Sequence, residues 1–182
     1  MPPKEIIAQI ISIVAMAFVN ISFLQKRKSI LLTCQLIGNG LFSLNFFLLG
    51  AMSGALLNGI AVIRAFVFLK KEKLHADNAI WTTGFILSYL ASYALVFTVF
   101  GKEPTLFNFI IEFMPVIAMI SLHLSFRYTD TKMIRRFGLV SGPTWLVYNV
   151  VNFSIGAIIC ESLNIVSIFI GMVRNDFKRK EK

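Results

Sequence analysis

The sequence predicts an all-α membrane protein of seven transmembrane helices, arranged as two parallel three-helix bundles joined by a linker helix. The N-terminus lies outside and the C-terminus is cytoplasmic. Three observations predict this. The 182 residues are 57% hydrophobic, against about 45–50% for a soluble domain, and the mean hydropathy is +0.75. The apolar residues fall into seven stretches separated by short polar breaks, each long enough at about 1.5 Å per residue to cross or nearly cross a hydrocarbon core of about 30 Å. Finally, VAMAFVNISF at residues 14–23 recurs 103 positions later as IAMISLHLSF at 117–126.

The first span covers residues 3–24 and the second 29–50. A tight break at 51–54 leads to the third, which ends at 69. Residues 70–78 are polar. The fourth span covers 79–100, a short outer loop 101–103, and the fifth span 104–126. Residues 127–136 read as a basic inner loop, 137–152 as the sixth span and 154–173 as the seventh, followed by a basic tail at 174–182. The whole of 1–182 is one integral domain, with repeats at 1–69 and 104–173 around the linker helix 79–100. Residues 1–24 read as a retained span rather than a signal peptide, because Lys26, Arg27 and Lys28 follow the apolar run instead of preceding it.

The repeat extends past its first match. At an offset of 103, Leu36 meets Leu139, Phe42 meets Trp145 and Asn45 meets Tyr148. At 102, Gly54-Ala55 meets Gly156-Ala157 and Asn58 meets Cys160, so one residue is expected to be lost in the second hairpin. Spans 1–3 correspond to spans 5–7. The fourth span restores the direction of the second copy, as in parallel repeats about an axis along the membrane normal.

The net charge of +9 is a topology signal. Fifteen of the 18 basic residues lie in four clusters: Lys26 to Lys28, Lys70 to Lys73, Arg127 to Arg136, and Arg174 to Lys182. Seven spans put all four on one side. Cytoplasmic loops concentrate Lys and Arg, which sets the orientation. The pattern excludes nucleic acid as a partner, since no basic face carries interleaved stacking aromatics. The bilayer is the implied partner. Cys34 and Cys160 have neither disulfide-framework nor zinc spacing and read as packing residues. No metal or cofactor motif and no catalytic constellation is present, so the chain does not read as an enzyme.

Charged groups inside a membrane are expensive and mark sites by default. Counting from the outer ends, Glu112 and Glu161 lie roughly 10–12 Å deep, with Asn58 and Trp145 level with them and Asn149 a little shallower. These residues, with Gln9 and Arg64, are the candidate lining of a cavity between the two halves. Each also has a structural reading. Glu112 is a protonation site or ligand acceptor, or else a partner of Arg64 or a neutral acid; its repeat mate is Gln9. Arg64 snorkels inward, clamps an anion or pairs with a Glu. Asn58 and Asn149 bond a substrate or a neighbouring helix. Trp145 is a stacking platform or an interface anchor. His123, which matches Asn20, reads as an interhelical partner. Pro115 and Pro143 each remove a helix hydrogen bond and are candidate gating kinks.

Several short stretches also resemble a known family. Glu112-Phe113-Met114-Pro115-Val116-Ile117 with Phe126-Arg127, Trp145 through Asn149, Ser154-Ile155-Gly156, Glu161, Phe47-Leu48-Leu49-Gly50 and Ala55-Leu56-Leu57-Asn58 resemble the YgjV-type bacterial inner-membrane proteins. That implies a multi-pass protein of the bacterial inner membrane. More distantly, the 3+1+3 plan resembles the SWEET and PQ-loop transporters. Their sugar-transporting members carry an Asn in the third helix of each bundle and an aromatic in the second. Asn58 and Trp145 occupy such places, whereas Cys160 or Ser162 and Phe42 stand in the other half, and the Pro-Gln pair is absent. The function expected from all this is small-molecule transport of a small polar or charged ligand. The alternative is a non-transporting receptor or an accessory or structural subunit.

Overall fold

A computed structural model describes residues 2–23, 28–76, 78–125 and 131–173. Among them the chain is helical throughout: α1 (Pro3–Phe23), α2 (Lys28–Leu49), α3 (Met52–Leu69), α4 (Lys71–Leu74), α5 (Ala79–Thr98), α6 (Leu106–Ser125), α7 (Thr131–Val151) and α8 (Ile155–Met172). Six of these helices are long and apolar enough to cross a membrane: α1, α2, α3, α5, α6 and α8. Their outward side chains are those of a lipid-facing surface. Ile80, Leu106 and Phe153 are 75%, 77% and 74% exposed, and a water-facing surface carrying so many large apolar groups would aggregate.

Two boundaries differ from the sequence reading. Residues 131–136 belong to α7 rather than to a loop. Lys132, Arg135 and Arg136 carry long aliphatic stems that a helix end accommodates without unwinding, and they dilute the apolar character of α7 below that of the other long helices. The polar segment 70–78 also holds one helical turn, α4, closed by His75 in the left-handed region. The inner-loop residues 127–130, most of the Lys26–Lys28 cluster and the tail 174–182 lie outside the described residues.

The long helices pack in a closed order. α1 packs on α2, α2 on α3, α3 on α6, α6 on α7, α7 on α8, and α8 returns to α1; α5 lies across the junction of α3 and α6. One end of this ring carries the α2–α3 and α7–α8 turns. The other carries Lys70, Lys71 and Lys73 together with the start of α7, where the Arg135 side chain lies beside Gly171 at the end of α8.

The two turns at the first end are built alike. In one, Gly50 N–H donates to Phe47 O and Ala51 N–H to Phe46 O; in the other, Phe153 N–H donates to Val150 O and Ser154 N–H to Asn149 O. Both are the paired bonds that end a helix with a left-handed residue, here Gly50 (φ 76) and Phe153 (φ 52). The turns are therefore equal in length. The residue expected to be lost in the second hairpin is not lost.

Among the glycines, Gly156 lies tightest against a neighbouring backbone. A Cβ there would lie 2.3 Å from the backbone carbon of Ser12. Gly156→Ala is expected to destabilise the protein by about 1–3 kcal/mol, as overpacking does, read as a lower melting temperature in detergent. Gly84→Ala, where a Cβ meets nothing within 4 Å, is expected to leave it unchanged or raise it.

Candidate functional site

A helix start leaves backbone N–H groups without intrahelical acceptors, and in a bilayer no water is at hand to satisfy them. Neither α3 nor α8 has a side-chain cap from its own N-cap residue. The partners come from elsewhere in the ring. Gln9 on α1 accepts from Ile155 N–H through Oε1 at 2.9 Å and donates from Nε2 to Phe153 O at 2.5 Å. Ser12 Oγ accepts from Gly156 N–H at 3.1 Å and donates to Gln9 O at 2.8 Å. Ser154 Oγ donates to Asn45 Oδ1 at 2.7 Å, while Asn45 Nδ2 donates to Ala8 O at 2.8 Å. At the start of α3, Gly54 N–H donates to the Tyr148 hydroxyl of α7 at 2.9 Å. Gln9, Ser12, Asn45, Tyr148 and Ser154 are all buried.

The face of α7 that supplies Tyr148 is a stripe at helical spacing: Ser141, Trp145, Tyr148 and Asn149 are all buried. It meets a matching stripe of α2. The Phe46 ring stacks on Trp145 with centroids 6.1 Å apart and tilts against Tyr148 at 5.8 Å; Phe42 stacks on Phe46 at 6.3 Å. Trp145 is thus a stacking residue, and its stack is with the protein's own Phe46. The rings pack on one another in the layer where the cavity lining was expected.

Glu112 sits in α6 with 1% of its side chain exposed. Its Oε1 lies 3.0 Å from Lys102 Nζ, and its Oε2 has no hydrogen-bond partner among the described residues. The expected partner Arg64 is elsewhere: it is buried on α3 and donates to the Tyr89 hydroxyl of α5 at 3.3 Å. There His123 of α6 packs against Phe85, Tyr89 and Phe68, a junction of α3, α5 and α6 on the basic side.

The other candidates divide between the two regions. Asn58 is buried and donates back to Gly54 O of its own helix at 2.9 Å. Asn149 is buried with Oδ1 unpartnered. Glu161 accepts from Asn164 Nδ2 at 3.4 Å on the same helix and lies beside Gly142 of α7. No hydrogen bond or ion pair among the described residues joins it to Glu112, Asn58 or Asn149. Pro115 and Pro143 lie inside α6 and α7, which continue through them. Two surface cavities of about 410 Å³ are open at the turn end and along α2–α3. Of the sequence candidates only Gln9 lines either, together with Glu5, Asn152 and Phe153.

Lys102, Ser12, Asn45, Tyr148 and Ser154 were missed as site residues. Asn45 and Tyr148 carried a signal, since the sequence reading set them opposite one another at an offset of 103. Lys102 carried another, as one of two basic residues off the clustered side. Ser12 and Ser154 carried none, because a serine in an apolar helix has many uses.

Long apolar helices with large apolar side chains on their outer surfaces define a multi-pass α-helical membrane protein. The chain belongs to Imp-YgjV, a family of bacterial inner membrane proteins, which matches residues 6–179. No curated protein and no solved structure matches it.

Truncating Gln9 leaves an N–H and a carbonyl at the α7–α8 turn without partners, so Gln9→Ala is expected to lower stability by about 1–3 kcal/mol. Tyr148→Phe removes a single bond and is expected to lower it by about 1 kcal/mol. Urea titration of the detergent-solubilised protein, followed by tryptophan emission, reads both.

Proposed function

We propose that the protein is a small-molecule transporter of the bacterial inner membrane, with its substrate path between two three-helix halves. All seven long helices cross the bilayer, α1–α3 and α6–α8 are parallel repeats, and α5 is the linker. The N-terminus is outside and the basic side cytoplasmic, in line with the clustering of Lys and Arg. The packing order supports the repeat: exchanging α1 with α6, α2 with α7 and α3 with α8 turns the α1–α8 contact into the α6–α3 contact.

The observation that carries the transport reading is Glu112. A carboxylate buried at membrane depth is retained against a substantial insertion penalty, and its Oε2 has no hydrogen-bond partner among the described residues. Around it the two seams between the halves are unequal. The seam at α1 and α8 is held by Gln9, Ser12 and Asn45 through four hydrogen bonds across the halves. At the other seam, α3 meets α6 and is tied to the second half by the Gly54–Tyr148 bond to α7. A pivot at the first seam would open the second. The rings of Phe46, Trp145 and Tyr148 then form the closed layer of one state. In the second reading, a receptor or accessory subunit without transport, the same rings are a permanent core.

Access decides between them. Ser53 lies in the first turn of α3, fully buried and with its hydroxyl unpartnered among the described residues. With Cys34→Ala and Cys160→Ala as background, Ser53→Cys is expected to react with a membrane-impermeant maleimide from the periplasmic face of cells and also from the cytoplasmic face of inverted vesicles. A correctly inserted protein that reacts from neither face is not a transporter.

A further inference from the structure

We infer that the Glu112 carboxylate binds a small organic ammonium ion, and that Lys102 is a tethered competitor holding its place in the closed state. The inference rests on the transport reading and names its substrate class.

Glu112 is the residue whose burial is hardest to sustain alone. An uncompensated buried charge is strongly destabilising, whereas a paired one is tolerated. Its counter-charge does not come from a packed helix. It comes from Lys102, in the irregular segment between α5 and α6 just after Gly101, whose φ of 66 is a glycine conformation. The Lys102 side chain is 36% exposed, so its stem runs from the surface to the buried acid. A lysine presents a compact ammonium on a flexible four-carbon arm, and such an arm can leave without unfolding a helix.

Whatever displaces Lys102 has to satisfy the same carboxylate. A neutral or anionic solute would leave Glu112 buried and unpaired. An ammonium replaces the charge, and can also donate to Oε2, which Lys102 leaves unpartnered. The surroundings suit an organic cation better than a bare metal ion. Tyr93 and Tyr148 both lie close enough to interact with the Glu112 charge. Tyr93 and Phe113 meet edge to face at 5.2 Å, and Trp145 and Tyr148 at 5.9 Å. Aromatic faces attract desolvated ammonium groups, whereas hard metal cations require several oxygen ligands, and no cluster of metal-binding side chains occurs among the described residues.

The test uses the full chain in detergent, with ethylammonium chloride as probe and sodium chloride and sodium ethanesulfonate as controls. Thermal unfolding and calorimetry report binding. Ethylammonium is expected to raise the melting temperature of the wild type beyond either control, and Glu112→Gln is expected to abolish that rise. Lys102→Ala is expected to bind ethylammonium at least about tenfold more tightly than wild type, because a short tether holds its competitor at roughly millimolar effective concentration. Lys102→Gln takes its place if the alanine variant does not fold, and the wild-type comparison with Glu112→Gln stands without either. A wild-type response equal to that of sodium, or one retained in Glu112→Gln, overturns the inference. That outcome, with two-sided labelling of Ser53→Cys intact, overturns the substrate class and leaves transport standing. Failure of labelling from both faces overturns transport and this inference together.

Discussion

A helix that begins in a buried turn needs acceptors for its first N–H groups, and the protein itself has to supply them. The α3 and α8 helices of this protein both begin that way, after tight turns and without caps of their own. The chain meets the need across the ring: Gln9 and Ser12 receive the N–H groups of Ile155 and Gly156, and Tyr148 receives that of Gly54. Hydrogen bonding therefore does more than complete local structure. It joins the first three long helices to the last three. The contact of Gly156 with the Ser12 backbone follows, because a serine hydroxyl reaches a helix start only at close range. The same need excludes an alanine at that position.

Much of the fold was legible in composition. Six helices long and apolar enough to cross a membrane coincide with expected spans to within a few residues, because burial in lipid demands a continuous apolar run and little else does. The start of α7 was not legible, since Lys132, Arg135 and Arg136 look like a loop until their helix is seen. Hairpin length was misread for a related reason: Gly54 and Gly156 attract alignment by identity, whereas the two turns, with Gly50 and Phe153 in the left-handed region, are equal in length. Among site residues, burial of Gln9, Asn58, Arg64, Glu112, Trp145 and Asn149 was readable from their depth in apolar spans. Their partners were not. Pairing depends on helix rotation, which sequence leaves open, so it does not reveal that Lys102 faces Glu112 or that Phe46 packs on Trp145.

The polar interior has two parts with different physical character. Around Gln9, Asn45 and Ser154 nearly every polar atom has a partner, which is the condition for a rigid buried network. Around Ser53, Glu112 and Asn149 one atom of each side chain has none, a state that natural interiors seldom leave unexplained. A finished network on one seam and an unfinished one near the other is the contrast behind the proposed pivot and binding site. On this account the halves move about the satisfied groups and exchange partners at the unsatisfied ones.

The central claim is that the α1–α8 seam stays shut while the α3–α6 seam opens. Paired spin labels in lipid bilayers measure this directly, with one pair at Ile6 and Ile155 and the other at Phe47 and Phe107, all exposed side chains. The account predicts a single narrow distance distribution for Ile6 and Ile155 and two populations for Phe47 and Phe107. A broad or split distribution for Ile6 and Ile155, or one narrow distance for both pairs, would contradict it.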